Sequence, residues 1–316
     1  MRYAEYDASR TTPNVVIDGS PNENTIVCLS HWPGIPDEAG LADDLSAQMA
    51  FRYVDAGMGR HGDADIVTNN HFDQDGLVGV YALVDPEGTQ ANRELLIDIA
   101  AAGDFATFRE RRAARMAWVI AAWATATDIG DPFPRALERL PHLLGHVDDY
   151  RSSWEDEDAA LAASEAAVAA GTVRIDDERD LDLAVVRVDP DVGPWSGSRF
   201  AGQRFDGVHP MALHNATDMS GLALLHGDRY QFTNRYETWV QYVSRKRRGR
   251  VDLIPLAHRL TEVDGVPWRA DSPGALTPTL AHEGKSSTSA DVFLGELRDH
   301  LRSAPVAWDP RVGQGS

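Results

Sequence analysis

The feature that most constrains this chain is a polar loop between a short apolar strand and an apolar helix. Residues 64–68 read ADIVT, the loop at residues 69–76 reads NNHFDQDG, and residues 77–84 read LVGVYALV. A strand followed by a helix in this way is typical of parallel sheets with helices on their faces, in which ligands bind beyond the C-terminal ends of the strands. We therefore predict an α/β fold with a functional site in this loop.

Similar patterns divide the rest of the chain into two parts. Apolar runs bounded by polar residues, Gly or Pro predict strands, and apolar residues at helical spacing predict helices. Before Gly171 they predict strands at 15–17, 25–29 and 64–68 and helices at 41–54, 77–84, 92–102, 106–125, 133–149 and 155–170. After Gly171 they predict strands at 172–175, 181–188, 221–225, 230–232 and 238–244 and helices at 253–260 and 290–302. We therefore predict an N-terminal parallel-sheet domain with flanking helices at residues 1–171 and a smaller C-terminal α/β domain at residues 172–316.

Charge and cysteine content restrict the partners and the compartment. The chain has 49 Asp and Glu residues against 30 Lys and Arg residues, a formal net charge of -19, so it repels duplex nucleic acid and anionic membranes. The single Cys28 cannot form an intramolecular disulfide, and the N-terminus MRYAEYDASR lacks the apolar stretch of a signal peptide. The longest apolar helical stretch, at residues 116–126, is too short to span a bilayer. We expect a cytoplasmic protein.

The loop at residues 69–76 contains a candidate metal site. His71, Asp73 and Asp75 alternate along the chain, so in an extended backbone their side chains point to the same side. An imidazole with two carboxylates suits Mn²⁺ or Mg²⁺ better than Zn²⁺. The alternative is a solvated Asp-rich turn that happens to contain a histidine.

Two further sets of residues carry weaker signals. His142 and His146 lie one helical turn apart but lack the Glu of a metalloprotease motif, so they indicate a surface helix or the wall of a site. Residues 245–250 hold five basic side chains, and arginine can bind phosphate with two hydrogen bonds. A solvated turn, or a counter-charge to the acidic first domain, explains this basic cluster equally well.

Residues 66–83, IVTNNHFDQDGLVGVYAL, resemble the first motif of the DHH phosphoesterase superfamily, in which a strand ends in His and Asp ligands and a D-x-D-G turn opens the next helix. The Asp-His-His tripeptide of that family should follow this motif, and it does not occur in this chain. Residues 26–54 resemble the family's strand, tripeptide, loop and helix, with Ser30-His31-Trp32 in place of the tripeptide. This reversed order implies a rearranged or circularly permuted sheet.

The resemblance implies further site residues. It implies that His31 is a metal ligand, although His31 could equally be a core or turn histidine. The segment DIAAAGDF at residues 98–105 resembles one that contributes an acidic ligand, here Asp104, whereas an Asp after Gly is also a common helix N-cap. Residues 237–260 resemble the DHH-associated C-terminal domain, which implies substrate binding by three residues: Arg245, Arg247 and Arg248.

The resemblance also implies an activity. Members are two-domain enzymes that use paired manganese ions to hydrolyse phosphoesters or phosphoanhydrides. We therefore expect a hydrolase that uses one or two Mn²⁺ or Mg²⁺ ions on a small phosphorylated metabolite or nucleotide, with His71, Asp73 and Asp75 as catalytic residues. The alternative is a DHH-like scaffold that has lost catalysis and binds a metal, a nucleotide or a protein. The missing tripeptide favours this alternative, as does the absence of the family's Gly-rich His turn from residues 272–277.

Overall fold

The computed structural model describes residues 1–36, 40–58, 63–125, 130–193 and 207–312 of the chain. The chain divides into two compact units, which we call unit 1 (residues 1–158 and 242–245) and unit 2 (residues 159–241 and 246–316). Each unit combines strands with helices, so the predicted α/β class is confirmed. No helix within the described ranges is long and apolar enough to cross a membrane.

Unit 1 contains a four-stranded sheet and the helices that cover it. Its strands are β1 (Arg2–Tyr3), β2 (Asn14–Ile17), β3 (Thr25–Leu29) and β4 (Ile66–Thr68). Its helices are α1 (Tyr6–Ser9), α2 (Ser46–Asp55), α3 (Gln74–Val84), α4 (Pro86–Gln90), α5 (Arg93–Asp104), α6 (Arg111–Ala124) and α7 (Phe133–Gly145), followed by a 3₁₀ segment at Val147–Ser153 and the first turn of α8 (Glu155–Ala170). The strand order is β1-β4-β2-β3 and every neighbouring pair is parallel, which confirms the predicted parallel sheet.

The centre of this sheet is buried on both faces. All residues of β2 and of β4 are buried, so their apolar side chains pack on helices on either side. The helix α3 is buried at every residue from Gln74 to Leu83, which explains why its sequence is apolar all round rather than on one face. Gly79 permits the close approach of α3 to β2, since a Cβ atom there would lie 2.5 Å from Ile17 Cγ2.

Parallel pairing brings the loops after three strands to one edge of the sheet. The strands β3 and β4 both pair with β2, and Val15 of β2 is in register with Val27 on one side and Val67 on the other. Asp18 therefore follows β2 at the same edge at which His31 follows β3 and the loop at residues 69–76 follows β4. This edge is where an open parallel sheet binds ligands.

The division between the units falls within α8, before the predicted boundary at residue 171. The first turn of α8 stays with unit 1 because Arg111 Nε and Arg115 Nη2 contact the Asp158 carboxylate at 2.6 and 3.0 Å. The rest of the helix leads into the strands of unit 2.

Unit 2 contains a six-stranded mixed sheet and a separate two-stranded sheet. Its strands are β5 (Val173–Glu178), β6 (Leu183–Val188), β7 (Gly221–His226), β8 (Arg229–Asn234), β9 (Arg250–Val251), β10 (Trp268–Ala270), β11 (Thr279–His282) and β12 (Val306–Trp308). Its further helices are α9 (Pro210–Ala216), α10 (Ile254–Asp264) and α11 (Ala290–Ser303). The sheet order is β10-β11-β8-β7-β6-β5, in which β6 and β7 are parallel and the other four neighbouring pairs are antiparallel, and β9 pairs separately with β12. Leu256 of α10 and Phe293 of α11 pack with Phe232 of the sheet in the core.

One predicted strand of this region is wrong. The apolar side chains of residues 238–244 predict a strand, but a 3₁₀ turn at Tyr236–Thr238 leads into the segment instead. The turn is closed by Trp239 N–H, which donates to the Tyr236 carbonyl at 2.7 Å. Residues 242–245 then belong to unit 1 rather than to the sheet of unit 2.

Candidate metal centre

Asp18 lies at the centre of the candidate site. It is 1% exposed, and its backbone φ of 46° places it in the left-handed region, which few non-glycine residues adopt. Its Oδ1 atom lies 3.3 Å from His31 Nε2, and its Oδ2 atom lies 3.3 Å from His71 Nε2. Asp18 was not among the residues predicted from the sequence, although an Asp-Gly directly follows a buried strand there.

Two groups of three ligands share Asp18. In the part of the chain that the structure describes, an inner group (Asp18, His31 and Asp75) and an outer group (Asp18, His71 and Asp73) each offer ligand atoms within 4.8 Å of one another. Each group combines one imidazole with two carboxylates and could hold a metal ion. A single carboxylate therefore lies between two candidate metal positions.

The inner group is buried. His31 Nε2 lies 3.9 Å from Asp75 Oδ2 and 3.5 Å from Asp104 Oδ2, and the Asp104 side chain is 6% exposed. His31 Nδ1 lies 2.6 Å from the Asp44 carbonyl oxygen. Because a carbonyl oxygen only accepts hydrogen bonds, Nδ1 carries a proton, and Nε2 is the ring atom that faces the carboxylates.

Asp75 is fixed by the beginning of a helix. Its Oδ2 atom accepts a hydrogen bond from Ser46 N–H at 2.8 Å, and its Oδ1 atom accepts one from Ala47 N–H at 2.9 Å. The Ser46 hydroxyl donates to Asp18 Oδ1 at 2.9 Å. Amides at the N-terminus of α2, which have no acceptor within the helix, thus stabilise the negative charge of the inner group.

The outer group lies nearer to solvent. His71 Nε2 is 2.9 Å from Asp73 Oδ2, and these side chains are 34% and 29% exposed. Asp73 is also the N-cap of α3, because its Oδ1 atom accepts a hydrogen bond from Gly76 N–H at 2.8 Å. The Trp32 and His71 rings lie 5.2 Å apart at this side of the site. A ligand can therefore approach the centre from the outer group.

Two glycines bring the loops of the site together. A Cβ atom on Gly19 would lie 2.2 Å from Asn70 Oδ1, and one on Gly76 would lie 2.1 Å from Asn69 Nδ2. Asn69 in turn uses its Oδ1 atom to accept a hydrogen bond from His71 N–H at 2.8 Å. The absence of a side chain on Gly19 lets the loop after β2 approach the loop after β4, and its absence on Gly76 lets Asn69 pack against the beginning of α3.

The charges of the cluster balance through the histidines. Burial by itself would lower the pKa of His31, but the hydrogen bond and the negative charge of Asp18, with the charge of Asp75, raise it to about 9. Burial likewise opposes the charged form of His71, but the charge of Asp73 and a hydrogen bond to Asp18 raise its pKa to about 11. Burial and the charge of Asp18 raise the pKa of Asp75 to about 7, against the charge of His31. Burial disfavours the Asp18 carboxylate as well, yet hydrogen bonds from His31 and His71 leave its pKa lowered. The imidazolium protons thus occupy the place of a cation.

The structure brings all five predicted metal ligands to this edge of the sheet, in a different grouping from the one expected. His71, Asp73 and Asp75 do not form one group, because Asp73 and Asp75 lie at the beginning of a helix rather than on an extended strand. Asp75 therefore faces His31, while Asp73 faces His71. Asp104, at the end of α5, contacts His31 but belongs to neither three-ligand group.

The three predicted substrate-binding arginines are divided between the units. Arg245 belongs to unit 1, whereas Arg247 and Arg248 belong to unit 2. Arg247 Nη1 donates to the Asp218 carbonyl at 2.6 Å, and its side chain is 8% exposed. Arg248 Nη2 donates to the Leu301 carbonyl. These two side chains thus hold the backbone of their own unit.

The histidine pair of α7 lies at the surface. The His142 and His146 rings are stacked at 4.4 Å, and His142 Nε2 lies 2.9 Å from Asp149 Oδ2. Neither histidine belongs to the two three-ligand groups. The surface-helix interpretation therefore agrees with their positions.

Comparison with known proteins places the chain in a family. The model of a family of unknown function, DUF6687, matches residues 1–312, and the chain belongs to this family. Neither the curated proteins nor the solved structures contain a significant match. The family match spans both units.

Proposed function

We propose that this member of DUF6687 is a divalent-metal-dependent hydrolase that acts on the phosphoester of a small phosphorylated metabolite or nucleotide. The observation that carries the proposal is the position of Asp18, whose two oxygens each lie 3.3 Å from a different histidine. A carboxylate shared in this way suits two metal ions held side by side. A site for a single structural ion does not require it.

The donor atoms support Mn²⁺ or Mg²⁺. The cluster offers only carboxylate oxygens and imidazole nitrogens, and Cys28 contributes no ligand atom to either group. Mg²⁺ and Mn²⁺ both prefer oxygen ligands, and Mn²⁺ also binds imidazole nitrogen. Four carboxylates in close proximity also repel one another unless cations or imidazolium protons compensate them. We propose one or two ions, held by Asp18, His31, His71, Asp73 and Asp75, with Asp104 beside the inner position.

Phosphoester hydrolysis is the chemistry that such a pair supports best. Paired divalent ions lower the pKa of bound water and neutralise the charge that develops on phosphoryl oxygens. The exposure of His71 and Asp73 supports entry of the substrate beside the outer group. The net charge of -19 favours a small substrate over a long nucleic acid, which the acidic surface would repel.

A second candidate is a scaffold that binds metal without catalysis. The contacts of Arg247 and Arg248 favour it, because backbone carbonyls of unit 2 already accept hydrogen bonds from both guanidinium groups. A phosphate group would have to compete with these contacts. This candidate shares the metal centre with the first and differs only in the absence of turnover.

Metal analysis followed by turnover separates the candidates. We expect purified protein to bind Mn²⁺ and to hydrolyse bis-p-nitrophenyl phosphate or a nucleotide, and Asp75→Asn to lose this turnover. Asp98→Asn is the matched control, since Asp98 is also buried in unit 1 but binds the amides of Arg109 and Glu110. Protein that binds Mn²⁺ and stays inert toward nucleotides, oligonucleotides and polyphosphate supports the scaffold. Protein that binds no divalent ion contradicts both candidates.

A further inference from the structure

A four-residue segment from the second half of the sequence lies in unit 1. We call residues Tyr242–Arg245 the strap, because the residues on both sides of it belong to unit 2. The backbone N–H groups of Val243 and Ser244 both donate to Asp44 Oδ1, at 2.7 and 2.8 Å. Charge-assisted hydrogen bonds of this kind are stronger than neutral ones, so Asp44 anchors the strap.

The same residue holds a candidate metal ligand. The carbonyl oxygen of Asp44 lies 2.6 Å from His31 Nδ1, while the carboxylate of Asp44 binds the strap. Asp44 thus connects the strap to His31 through its own backbone. The orientation of the His31 ring therefore depends in part on the position of the Asp44 backbone.

A second contact reaches His31 from another direction. The Tyr242 ring lies edge-on to the Phe105 ring at 5.4 Å, with an angle of 73° between the ring planes. The Phe105 ring lies 6.2 Å from the His31 ring, and Phe105 directly follows Asp104. The strap therefore contacts both residues, Asp44 and Phe105, that lie against His31.

We propose that Asp44 and the strap are positioning elements that orient His31 for the inner metal ion. The inference rests on the metal centre proposed above. A group that accepts a hydrogen bond from the second ring nitrogen of a ligating histidine fixes the tautomer and the ring orientation, and its loss weakens metal binding by about 10- to 100-fold. The strap thereby contributes to the affinity of a site in unit 1.

The first test uses Asp44 variants in the full-length protein. Asp44→Ala removes the acceptor of both strap amides. Asp44→Asn keeps an oxygen acceptor, so it should retain part of the wild-type Mn²⁺ affinity. Asp43→Asn is the control for charge, since it removes the charge that binds Arg52 Nε at 2.6 Å while the introduced amide side chain keeps an oxygen that can accept from Asp44 N–H. Mn²⁺ titration should show one of two binding steps weakened in Asp44→Ala by about 10-fold, the lower end of that range, because the Asp44 carbonyl remains but loses its support from the strap. Asp43→Asn should bind both ions as the wild type does.

The second test leaves Asp44 intact. Tyr242→Ala removes the ring contact with Phe105. Tyr150→Ala is the control, because the Tyr150 ring makes a similar edge-on contact with the Trp123 ring, with 5.9 Å between the ring centres. We expect Tyr242→Ala to weaken the same binding step as Asp44→Ala and Tyr150→Ala to leave it unchanged. Should Asp44→Ala fail to fold, Tyr242→Ala decides the question.

Two readouts do not depend on metal. In metal-free protein the amides of Val243 and Ser244 should be protected from hydrogen exchange, and Asp44→Ala should remove this protection and shift the His31 imidazole NMR signals. If these changes occur but wild-type protein binds no divalent ion, the orientation of His31 by Asp44 and the strap is supported and the proposed metal centre is wrong. If wild-type protein binds two Mn²⁺ ions while both variants keep the wild-type His31 signals and affinities, the strap inference is overturned.

Discussion

The inner and outer groups hold the same kinds of ligand in opposite surroundings. The inner pair, His31 and Asp75, is fully buried and is held by amides of α2 and by the carbonyl of Asp44. The outer pair, His71 and Asp73, is about one-third exposed and is held mainly by its own loop. In the proposed centre, the inner group would retain an ion, whereas the outer group would admit a ligand.

The largest effect should come from the residue that both groups share. Asp18→Asn removes a charged ligand from both positions, so we expect the affinity for both Mn²⁺ ions to fall by at least ~100-fold, beyond the usual loss from an outer hydrogen-bond partner. Calorimetric titration measures both steps. Loss of only one step would mean that Asp18 is not shared.

The two groups should differ when each loses its own carboxylate. Asp75→Asn should weaken the tighter binding step, because its ligand is buried and preorganised, while Asp73→Asn should weaken the looser step by a smaller factor of about 10-fold. The same titration, run on both variants, measures these effects. Equal effects on both steps would break the distinction between an inner and an outer position.

The metal-free protein should lose stability as pH rises. The pKa of His31 is raised from an unfolded value of about 6.5 to about 9, so its stabilising contribution is complete below pH ~6.5 and is lost as pH rises through 9. The expected loss is on the order of 3 kcal/mol in the free energy of unfolding. The raised pKa values of His71 and Asp75 act in the same direction.

Urea unfolding with a chelator at pH 6.5 and pH 9 measures this loss. Protein loaded with Mn²⁺ should show the reverse trend over this range, because metal binding requires deprotonated ligands. His31→Gln should flatten the metal-free profile more than His142→Gln, which removes an exposed histidine. A metal-free wild type whose stability is constant from pH 6.5 to 9 would contradict the charge balance described for the cluster.

The smallest effect concerns the open side of the centre. Trp32 lies 5.2 Å from the His71 ring, so Mn²⁺ in the outer group should quench part of the tryptophan fluorescence. Because the chain has 8 tryptophans, the change should be modest. It should vanish in Trp32→Phe and persist in Asp75→Asn. Quenching that survives in Trp32→Phe would place the ion elsewhere.

The sequence predicted the sheet edge better than the arrangement of ligands on it. The bounds of β3 were predicted to the residue because TIVCL is an apolar run between polar neighbours. Asp18 was missed because an Asp-Gly after a strand is also an ordinary turn. The partners of Asp75 depend on the beginning of α2, which lies far from it in the sequence and can be placed only after the sheet is assembled.

The second half of the chain shows the same limit. The helices α10 and α11 were found from their periodicity, but the apolar side chains of residues 238–244 predicted a strand where the chain instead turns and joins unit 1. A short run of apolar side chains indicates only that the segment packs against something. It does not show whether the backbone pairs with a strand or lies on a loop of another unit.

Electron paramagnetic resonance of the protein saturated with Mn²⁺ tests the central claim most directly. Because both oxygens of Asp18 face candidate ligands of different ions, we predict two bound ions with the exchange-coupled spectrum of a carboxylate-bridged pair. The coupling should disappear in Asp18→Asn. A single uncoupled six-line signal at saturation, or no bound Mn²⁺, would contradict the shared centre.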